Sequence, residues 1–164
     1  MHPAALDDDA LLRQCDETRT RRSGPGGQHR NKVETAVILV HRPTGIGAEA
    51  SERRSQAQNR TVAVARLRLR LALEHRQPAA DGPSTLWMSR VRNGRLAIAV
   101  GHRDYPTLVA ESLDHLQATG FRTADAAAAL GVTTSQLIGL FRRSAAVWTA
   151  VNAARIAAGL SRLA

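Results

Sequence analysis

One short segment of the sequence carries residue types that can do chemistry without a charged catalytic group. The segment Ser23-Gly24-Pro25-Gly26-Gly27-Gln28 is rich in glycine and contains a proline, so it predicts a loop with unusual backbone angles rather than a helix or a strand. Glycines also let a backbone N–H approach a reacting group closely, and such a donor can stabilise a developing oxyanion. The loop is therefore the first candidate for a functional site.

Other uses of this loop have less support from the residues around it. It lacks the Gly-Lys-Ser/Thr ending of a phosphate-binding loop and the Gly-x-Gly-x-x-Gly pattern of a dinucleotide site. His29 lies next to Gln28, where a general base would act, but no Ser or Asp is arranged to support it. Ser23 as a nucleophile has less support still. The sequence favours backbone chemistry, and we expect no metal and no cofactor.

The residues that follow the loop extend the pattern over roughly residues 15–75. The successive blocks are Arg22 to His29, Asn31-Lys32, Thr35-Ala36-Val37, Pro43-Thr44-Gly45-Ile46, and Arg54-Ser55-Gln56-x-x-Asn59-Arg60 with Ala63 and Leu67. In this order they resemble the catalytic domain of the class I peptide chain release factors and of the stand-alone ribosome-rescue hydrolases.

The resemblance implies an α+β fold: a small mixed sheet, a long helix packed on it, and the glycine loop projecting from the sheet. It also implies hydrolysis of the ester that joins a nascent peptide to tRNA in the peptidyl-transferase centre of the ribosome. Carried over by position, Gly26, Gly27 and Gln28 are the catalytic residues, with the backbone N–H of Gln28 facing the tetrahedral centre. Such an ester is already activated, so a placed water and an oxyanion donor can suffice.

The polar residues beside the loop and at the start of the following helix are the expected RNA contacts. Those on the helix have two interpretations, either a cap and a solvated face or a surface that packs under the loop or meets rRNA. Asn31 and Lys32 either anchor the loop and touch RNA or only solvate its end. The full expected set is Arg22, His29, Arg30, Asn31, Lys32, Arg53, Arg54, Gln56, Asn59 and Arg60.

Position 30 departs from the family pattern. The family favours a small apolar residue, usually valine, between His29 and Asn31, whereas this chain has Arg30. The arginine either adds a phosphate contact or changes how the loop is seated, and the residues alone leave both open.

The positive charge of the chain is concentrated in one segment. The net charge of the 164 residues is +9; residues 1–17 hold one Arg against five acidic residues, residues 18–76 hold thirteen Arg or Lys against four, and residues 77–164 hold nine against five. A surface that meets phosphates has this character. Lys32 is the only lysine, so nearly all of the positive charge is arginine. This excess of arginine is typical of RNA recognition, and a GC-rich genome explains it equally well.

The first half of the chain predicts one long helix and a small number of strands. We expect a short helix over 7–14, an edge strand over 17–22, and strands over 33–41 and 46–50 joined by a turn at 42–45. Between Ser55 and about Arg76 the alternation of Arg and Leu is typical of a strand. Leu, Arg and Ala are nevertheless strong helix formers, and the segment is long, so we predict a helix.

The second half predicts a hairpin and then only helices. After a Pro/Gly-rich linker at 77–84, the segments 86–91 and 96–100 flank Asn93-Gly94, a favoured two-residue turn. The expected helices span about 107–118, 123–130, 134–143 and 145–160, with a capping box at Thr133-x-x-Gln136. Residues 123–143 resemble a helix-turn-helix unit, with ordinary helical packing as the alternative. The expected domains are a catalytic domain over 1–100 and a helical extension over 101–164.

The remaining expectations concern location and partners. The apolar fraction of 43% supports a packed core, no stretch is long enough to span a membrane, and Cys15 is the only cysteine. We expect a cytoplasmic protein with no membrane, no secretory signal and no internal disulfide. The expected partners are large-subunit rRNA and peptidyl-tRNA. We expect the protein to be a monomer, and the C-terminal helices are the expected binding site for any protein partner.

Two rival functions belong to other classes. One is an rRNA- or tRNA-binding protein that kept the fold and lost the reaction, and the other is a helix-turn-helix DNA regulator. The intact Gly26-Gly27-Gln28 counts against the first, and the location of the positive charge outside residues 123–143 counts against the second. Because 164 residues leave no room for a codon-reading domain, we predict codon-independent hydrolysis of peptidyl-tRNA.

Overall fold

In the computed structural model, residues 1–20, 35–92 and 94–164 are described, and they divide by their contacts into two units. The first unit is Pro3–His75 with Met1, and the second is Arg76–Ala164 with His2. The elements of the first unit are a 3-10 helix Pro3–Ala5, α1 (Asp8–Arg13), β1 (Cys15–Thr20), β2 (Ala36–His41), β3 (Gly47–Ala50) and α2 (Gln56–Glu74).

The sheet of the first unit has the order β1-β2-β3. Thr20 pairs with Ala36 at one end of the β1–β2 ladder, and Cys15 pairs with His41 at the other. Val37 and Leu39 on β2 are fully buried, because alternate residues of a strand face the same side. The α+β class is confirmed, and the pairings of the described strands are antiparallel rather than mixed.

The helix predicted from Ser55 onward is confirmed as α2, and it packs on β2 and β3. Val64, Leu67 and Leu71 are buried on one face, as a spacing of three and four residues requires. Helix propensity over this long segment therefore outweighs the strand-like alternation of Arg and Leu. Arg66 and Arg70 lie on the exposed side of the helix.

Arg68 is the exception among the arginines of α2, because its side chain is buried. Its guanidinium donates to the carbonyl oxygens of Ala4 at 2.9 Å and Leu6 at 2.5 Å, and it also pairs with Asp8. A buried guanidinium needs partners for its N–H groups, and the N-terminal turns supply them. The start of the chain is thereby fastened to the long helix.

The second unit contains a short hairpin and five helices among the residues that the structure describes. Its elements are α3 (Thr85–Arg90), β4 (Val91–Arg92), β5 (Arg95–Leu96), α4 (Tyr105–Ala118), α5 (Thr123–Ala129), α6 (Thr134–Arg142) and α7 (Ala145–Ala157). The four predicted C-terminal helices are confirmed, and so is the capping box between Thr133 and Gln136.

The predicted hairpin arms Leu86–Val91 and Leu96–Val100 are wrong in most of their length. Ser84 caps a helix by accepting a hydrogen bond from the backbone N–H of Trp87 at 3.0 Å. Trp87 is fully buried, and its Nε1–H donates to the carbonyl oxygen of Leu130 at 2.9 Å. This contact favours a helix over most of the first predicted arm. Of the predicted hairpin, only the short strands β4 and β5 are paired. Gly94 has φ +68°, and Asn93 lies outside the described residues.

A second aromatic side chain ties the helices of this unit together. Tyr105 at the start of α4 is buried, and its hydroxyl donates to the carbonyl oxygen of Leu140 on α6 at 3.1 Å. Burial raises the pKa of Tyr105 to about 12, because the phenolate is disfavoured away from water. The hydroxyl thus stays a donor at any physiological pH.

Helices α5 and α6 are joined by a short break and bend by 103°. Gly131 in this break has φ +65°, a conformation that favours glycine. Within the described residues, no single helix is long and apolar enough to cross a membrane, whereas this bent pair passes the same test jointly by length and composition.

His41 is a buried titratable group of the first unit whose pKa is shifted. Its Nδ1 lies 2.8 Å from the hydroxyl of Thr44, and its Nε2 lies 2.9 Å from Oε1 of Gln14. Burial lowers the pKa of His41, and the nearby charges of His75 and Arg42 act in the same direction. The neutral imidazole therefore fits this site, with Nε2–H donating to Gln14.

We expect the stability of the first unit to fall in mild acid because of His41. Below about pH 6.5, the ordinary histidine value, the unfolded chain binds the proton before the folded chain does, so stability is complete above that pH and declines as pH falls toward the lowered pKa. His41→Asn removes the titrating group, and its free energy of unfolding should depend less on pH in this window. Denaturant titrations of both proteins at several pH values test this, and identical slopes would contradict it.

Candidate functional site

The glycine-rich segment is the connection between β1 and β2. Because Thr20 and Ala36 are paired, the chain leaves and re-enters the sheet at neighbouring positions. The predicted catalytic residues Gly26, Gly27 and Gln28 lie outside the described residues. So do five of the predicted RNA contacts, namely Arg22, His29, Arg30, Asn31 and Lys32. The structure describes the residues that hold the two ends of this connection.

Asn59, in the first turn of α2, holds the C-terminal end. Its side chain is fully buried, and its Nδ2 donates to the carbonyl oxygen of Thr35 at 2.6 Å and to that of Arg53 at 3.0 Å. Its Oδ1 accepts a hydrogen bond from the backbone N–H of Arg53 at 2.9 Å. One amide thus satisfies three backbone groups from two separate segments, and only an Asn-type side chain offers donors and an acceptor in this geometry.

These bonds give Asn59 a structural task at the site. Its amide is used within the protein, so it positions the residue that follows the segment 21–34 instead of presenting a polar group at the surface. Of the two interpretations that the sequence leaves open for this residue, the structure places it under the end of the connection.

Arg60, the next residue of α2, holds the strand on the other side. Its Nε donates to Oε2 of Glu17 on β1 at 2.8 Å, while Oε1 of Glu17 accepts from Arg19. The hydrogen bond from Arg60 is the main cause that lowers the pKa of the Glu17 carboxyl. Both side chains are partly solvated, so the ion pair adds little stability by itself. Its importance is geometric, because it orients Arg60 toward β1.

The other predicted contacts near the start of α2 are at least partly exposed. Arg53 and Arg54 are exposed, and Gln56 is half-buried. Within the part of the chain that the structure describes, the side chains of Arg53 and Arg54 form no ion pair. Ser55 caps the helix, with its Oγ accepting from the backbone N–H of Gln58 at 3.5 Å. The structure therefore brings two exposed guanidinium groups next to the anchored end of the connection.

Sequence analysis missed Glu17 and Thr35 as parts of this site. Glu17 is separated from Arg60 by 43 residues, and Thr35 from Asn59 by 24, so neither contact has a local signal. One weak indication existed for Glu17. It lies two residues from Arg19, and residues at this spacing share a face of a strand.

The described part of the site suits an anionic polymer better than a small reactive molecule. Two exposed arginines lie beside the anchored ends of the connection, and no cluster of three or more metal-ligating side chains occurs in the described ranges. Arginine binds phosphate through paired N–H groups.

Comparison with known proteins gives a consistent family assignment for this region. A model of the RF-1 domain matches residues 12–96. Similar proteins include peptide chain release factor 1 of Acidiphilium cryptum, 42% identical over 52% of this chain and 24% of its own length. The chloroplastic release factor PrfB1 of Arabidopsis thaliana is 40% identical over 45% of this chain and 18% of its own length.

A mitochondrial relative is more similar over a shorter stretch. The mitochondrial peptide chain release factor 1-like protein of Mus musculus is 51% identical over 34% of this chain and 15% of its own length. The chain therefore spans about a quarter or less of the length of these relatives.

We expect Asn59→Ala to lower the free energy of unfolding by about 1–3 kcal/mol, because three partly buried backbone groups lose their partners. Gln58→Ala is the matched control, since it removes an exposed amide one residue away on the same helix, and it should change stability by less than about 0.5 kcal/mol. Denaturant unfolding of both variants measures the difference. Equal stability of the two variants would show that the buried amide does not hold this site together.

Proposed function

Because this chain belongs to the RF-1 domain family, the family of class I release factor catalytic domains, we propose that it hydrolyses peptidyl-tRNA on the ribosome. The observation that supports the proposal is the attachment to α2 of the residue that follows the connection containing Gly26-Gly27-Gln28. Asn59 donates to the carbonyl oxygen of Thr35, and the next residue of α2, Arg60, pairs with Glu17 on β1.

The proposed chemistry uses the backbone more than any side chain. Water attacks the carbonyl carbon of the ester, the bond to the 3′-oxygen of the tRNA breaks, and the proton passes to that oxygen. We assign the backbone N–H of Gln28 as the donor to the oxyanion, and the side-chain amide of Gln28 as part of the pocket for the water. Gly26 and Gly27 leave room for this approach, since a Cβ would obstruct it.

The ribosome supplies the remaining catalytic effects in this proposal. It holds the ester in the reactive orientation. The entropic part of the activation barrier is then lowered, because binding has already positioned the reactants. We place Arg53 and Arg54 against phosphates of large-subunit rRNA, because both are exposed near the anchored end and arginine suits this contact. Gln56 and the partly exposed Arg60 belong to the same surface, together with Arg22, His29, Arg30, Asn31 and Lys32. Asn59 acts there as a positioning residue.

We further propose that release does not depend on a codon. The match covers about a quarter or less of each relative's length. Residues 97–164 lie outside the family match. In the proposal, the catalytic domain spans 1–100, residues 101–164 add a helical extension, and the protein acts as a monomer in the cytoplasm.

We expect the purified chain to release peptide from ribosomes stalled on a truncated message. Gln28→Pro removes the proposed N–H donor, and Gly27→Ala adds a Cβ to the approaching backbone, so each should lower the single-turnover rate by at least about 10²–10³-fold. Gln58→Ala, an exposed amide outside the loop, is the control and should release at the rate of the unchanged chain. Stop-codon, sense-codon and codon-free complexes should react at similar rates.

The same assay separates the proposal from its rivals. Full activity in both loop variants would remove the backbone mechanism. Binding to ribosomes that weakens steeply with salt, without release from any complex, would identify a protein that binds RNA and does not catalyse. Release from stop-codon complexes alone would contradict codon independence.

A further inference from the structure

The hairpin β4–β5 of the second unit places two arginines directly opposite each other. Arg92 pairs in register with Arg95, and both side chains are exposed. Opposed residues of an antiparallel pair have Cβ atoms about 5 Å apart, and like charges at that distance destabilise the ladder. Among the residues that the structure describes, neither arginine has an acidic partner.

Other arginines of this unit differ from this pair because acidic groups lie beside them. Arg90 pairs with Asp104, Arg122 with Asp125, and Arg76 with Asp114. The hairpin therefore holds a local excess of positive charge that the fold does not neutralise within its described part. An anion that binds both guanidinium groups would relieve the repulsion.

The hairpin is held in a defined position on α6. Nε2 of Gln136, in the first turn of that helix, donates to the carbonyl oxygen of Gly94 at 2.6 Å. The guanidinium of Arg143, just after the helix, donates to the carbonyl oxygen of Ile98. The segment that carries Arg95 is thus attached near both ends of α6, and its charge has a fixed place beside the helix.

The face of α6 formed by Ser135 and Gly139 is open to an approaching molecule. A spacing of four residues places these positions on one side of the helix, and Ser135 is exposed. Arg142, farther along the helix, lies over the Trp148 ring and donates to the carbonyl oxygen of Ala164. A Cβ built at Gly139 meets no atom within 4 Å, so packing in this chain does not require a glycine there. Glycine inside a helix makes the helix less stable than alanine would. A partner that approaches the backbone of α6 closely would explain why position 139 has no side chain.

We propose that the β4–β5 hairpin and this face of α6 form a surface that binds the sugar–phosphate backbone of double-helical RNA. The bend of 103° between α5 and α6 lies in the range of helix-turn-helix units, which present their second helix to a nucleic-acid duplex. Ser135 and Gly139 on the open face are short, the guanidinium of Arg142 lies over the Trp148 ring, and the Gln136 amide is used by Thr133 and Gly94. The surface therefore offers charge and shape rather than base-reading groups, as recognition of an RNA duplex requires.

The choice of RNA over DNA rests on the proposed function. A release-type hydrolase works among rRNA helices, and a second contact outside the family match would add affinity for them. Reading a DNA sequence in the major groove would instead need Arg, Asn or Gln side chains directed at base edges. The DNA alternative is an outcome of the experiment.

The test measures binding of the full chain to a short RNA duplex by fluorescence anisotropy. Arg92→Gln/Arg95→Gln removes the opposed charges, and Arg13→Gln/Arg162→Gln, two exposed arginines outside this surface, is the control with the same change in charge. Between about 50 and 200 mM salt, the slope of log affinity against log salt should become shallower by roughly 2 in the hairpin variant, about 0.9 for each lost phosphate contact. The control variant should keep nearly the slope of the unchanged chain.

A second variant tests the helix face without changing charge. Gly139→Leu adds a side chain where the protein has open space, so the fold should accept it, and the midpoint of thermal unfolding checks this. Binding to the RNA duplex should weaken several-fold. Unchanged affinity would overturn the assignment of α6 to the surface.

The remaining outcomes distinguish this proposal from the catalytic one. Equal slopes for the hairpin and control variants would overturn the RNA surface, even if the chain releases peptide normally. Tighter binding of the DNA duplex of the same sequence would overturn the choice of RNA. Loss of duplex binding only in the hairpin and Gly139 variants, in a chain that releases no peptide, would support the surface while contradicting the proposed hydrolysis.

Discussion

The side chain of Asn59 satisfies three partly buried backbone groups at once, and the geometry at the end of the β1–β2 connection depends on it. Two of these groups belong to the turn before α2 and one to Thr35, where the chain re-enters the sheet. Aspartate lacks the donors and leucine lacks every polar atom, so no residue of similar size replaces this amide. A single buried side chain thus couples the long helix to the connection.

This coupling matters because the proposed reaction depends on position. A backbone donor has the same chemistry everywhere in a chain, so its catalytic value comes from where the fold delivers it. Arg53 and Arg54, just before the N-cap of α2, face solvent. The proposed RNA contacts are therefore close in sequence to Asn59, and RNA binding there would help to orient the residue that follows the connection.

Features set by local sequence were predicted well, whereas features set by distant contacts were not. The length and composition of residues 56–74 were enough to choose a helix over the strand that Arg–Leu alternation suggested. Trp87, in contrast, lies in a helix because its ring fits beside Leu130, 43 residues away, and no local pattern carries that information. At the site, the motif led to the family, but the bonds of Asn59 and the pairing of Glu17 with Arg60 emerged only from the fold.

The central claim is that the anchored connection delivers a backbone donor to the ester of peptidyl-tRNA. The most direct test is a structure of the chain bound to a ribosome that carries peptidyl-tRNA with an amide in place of the ester. We predict the backbone nitrogen of Gln28 at about 3 Å from the position of the oxyanion, with the bond from Asn59 to Thr35 retained. Residues 26–28 bound elsewhere on the ribosome, with the amide approached by another group, would contradict the account.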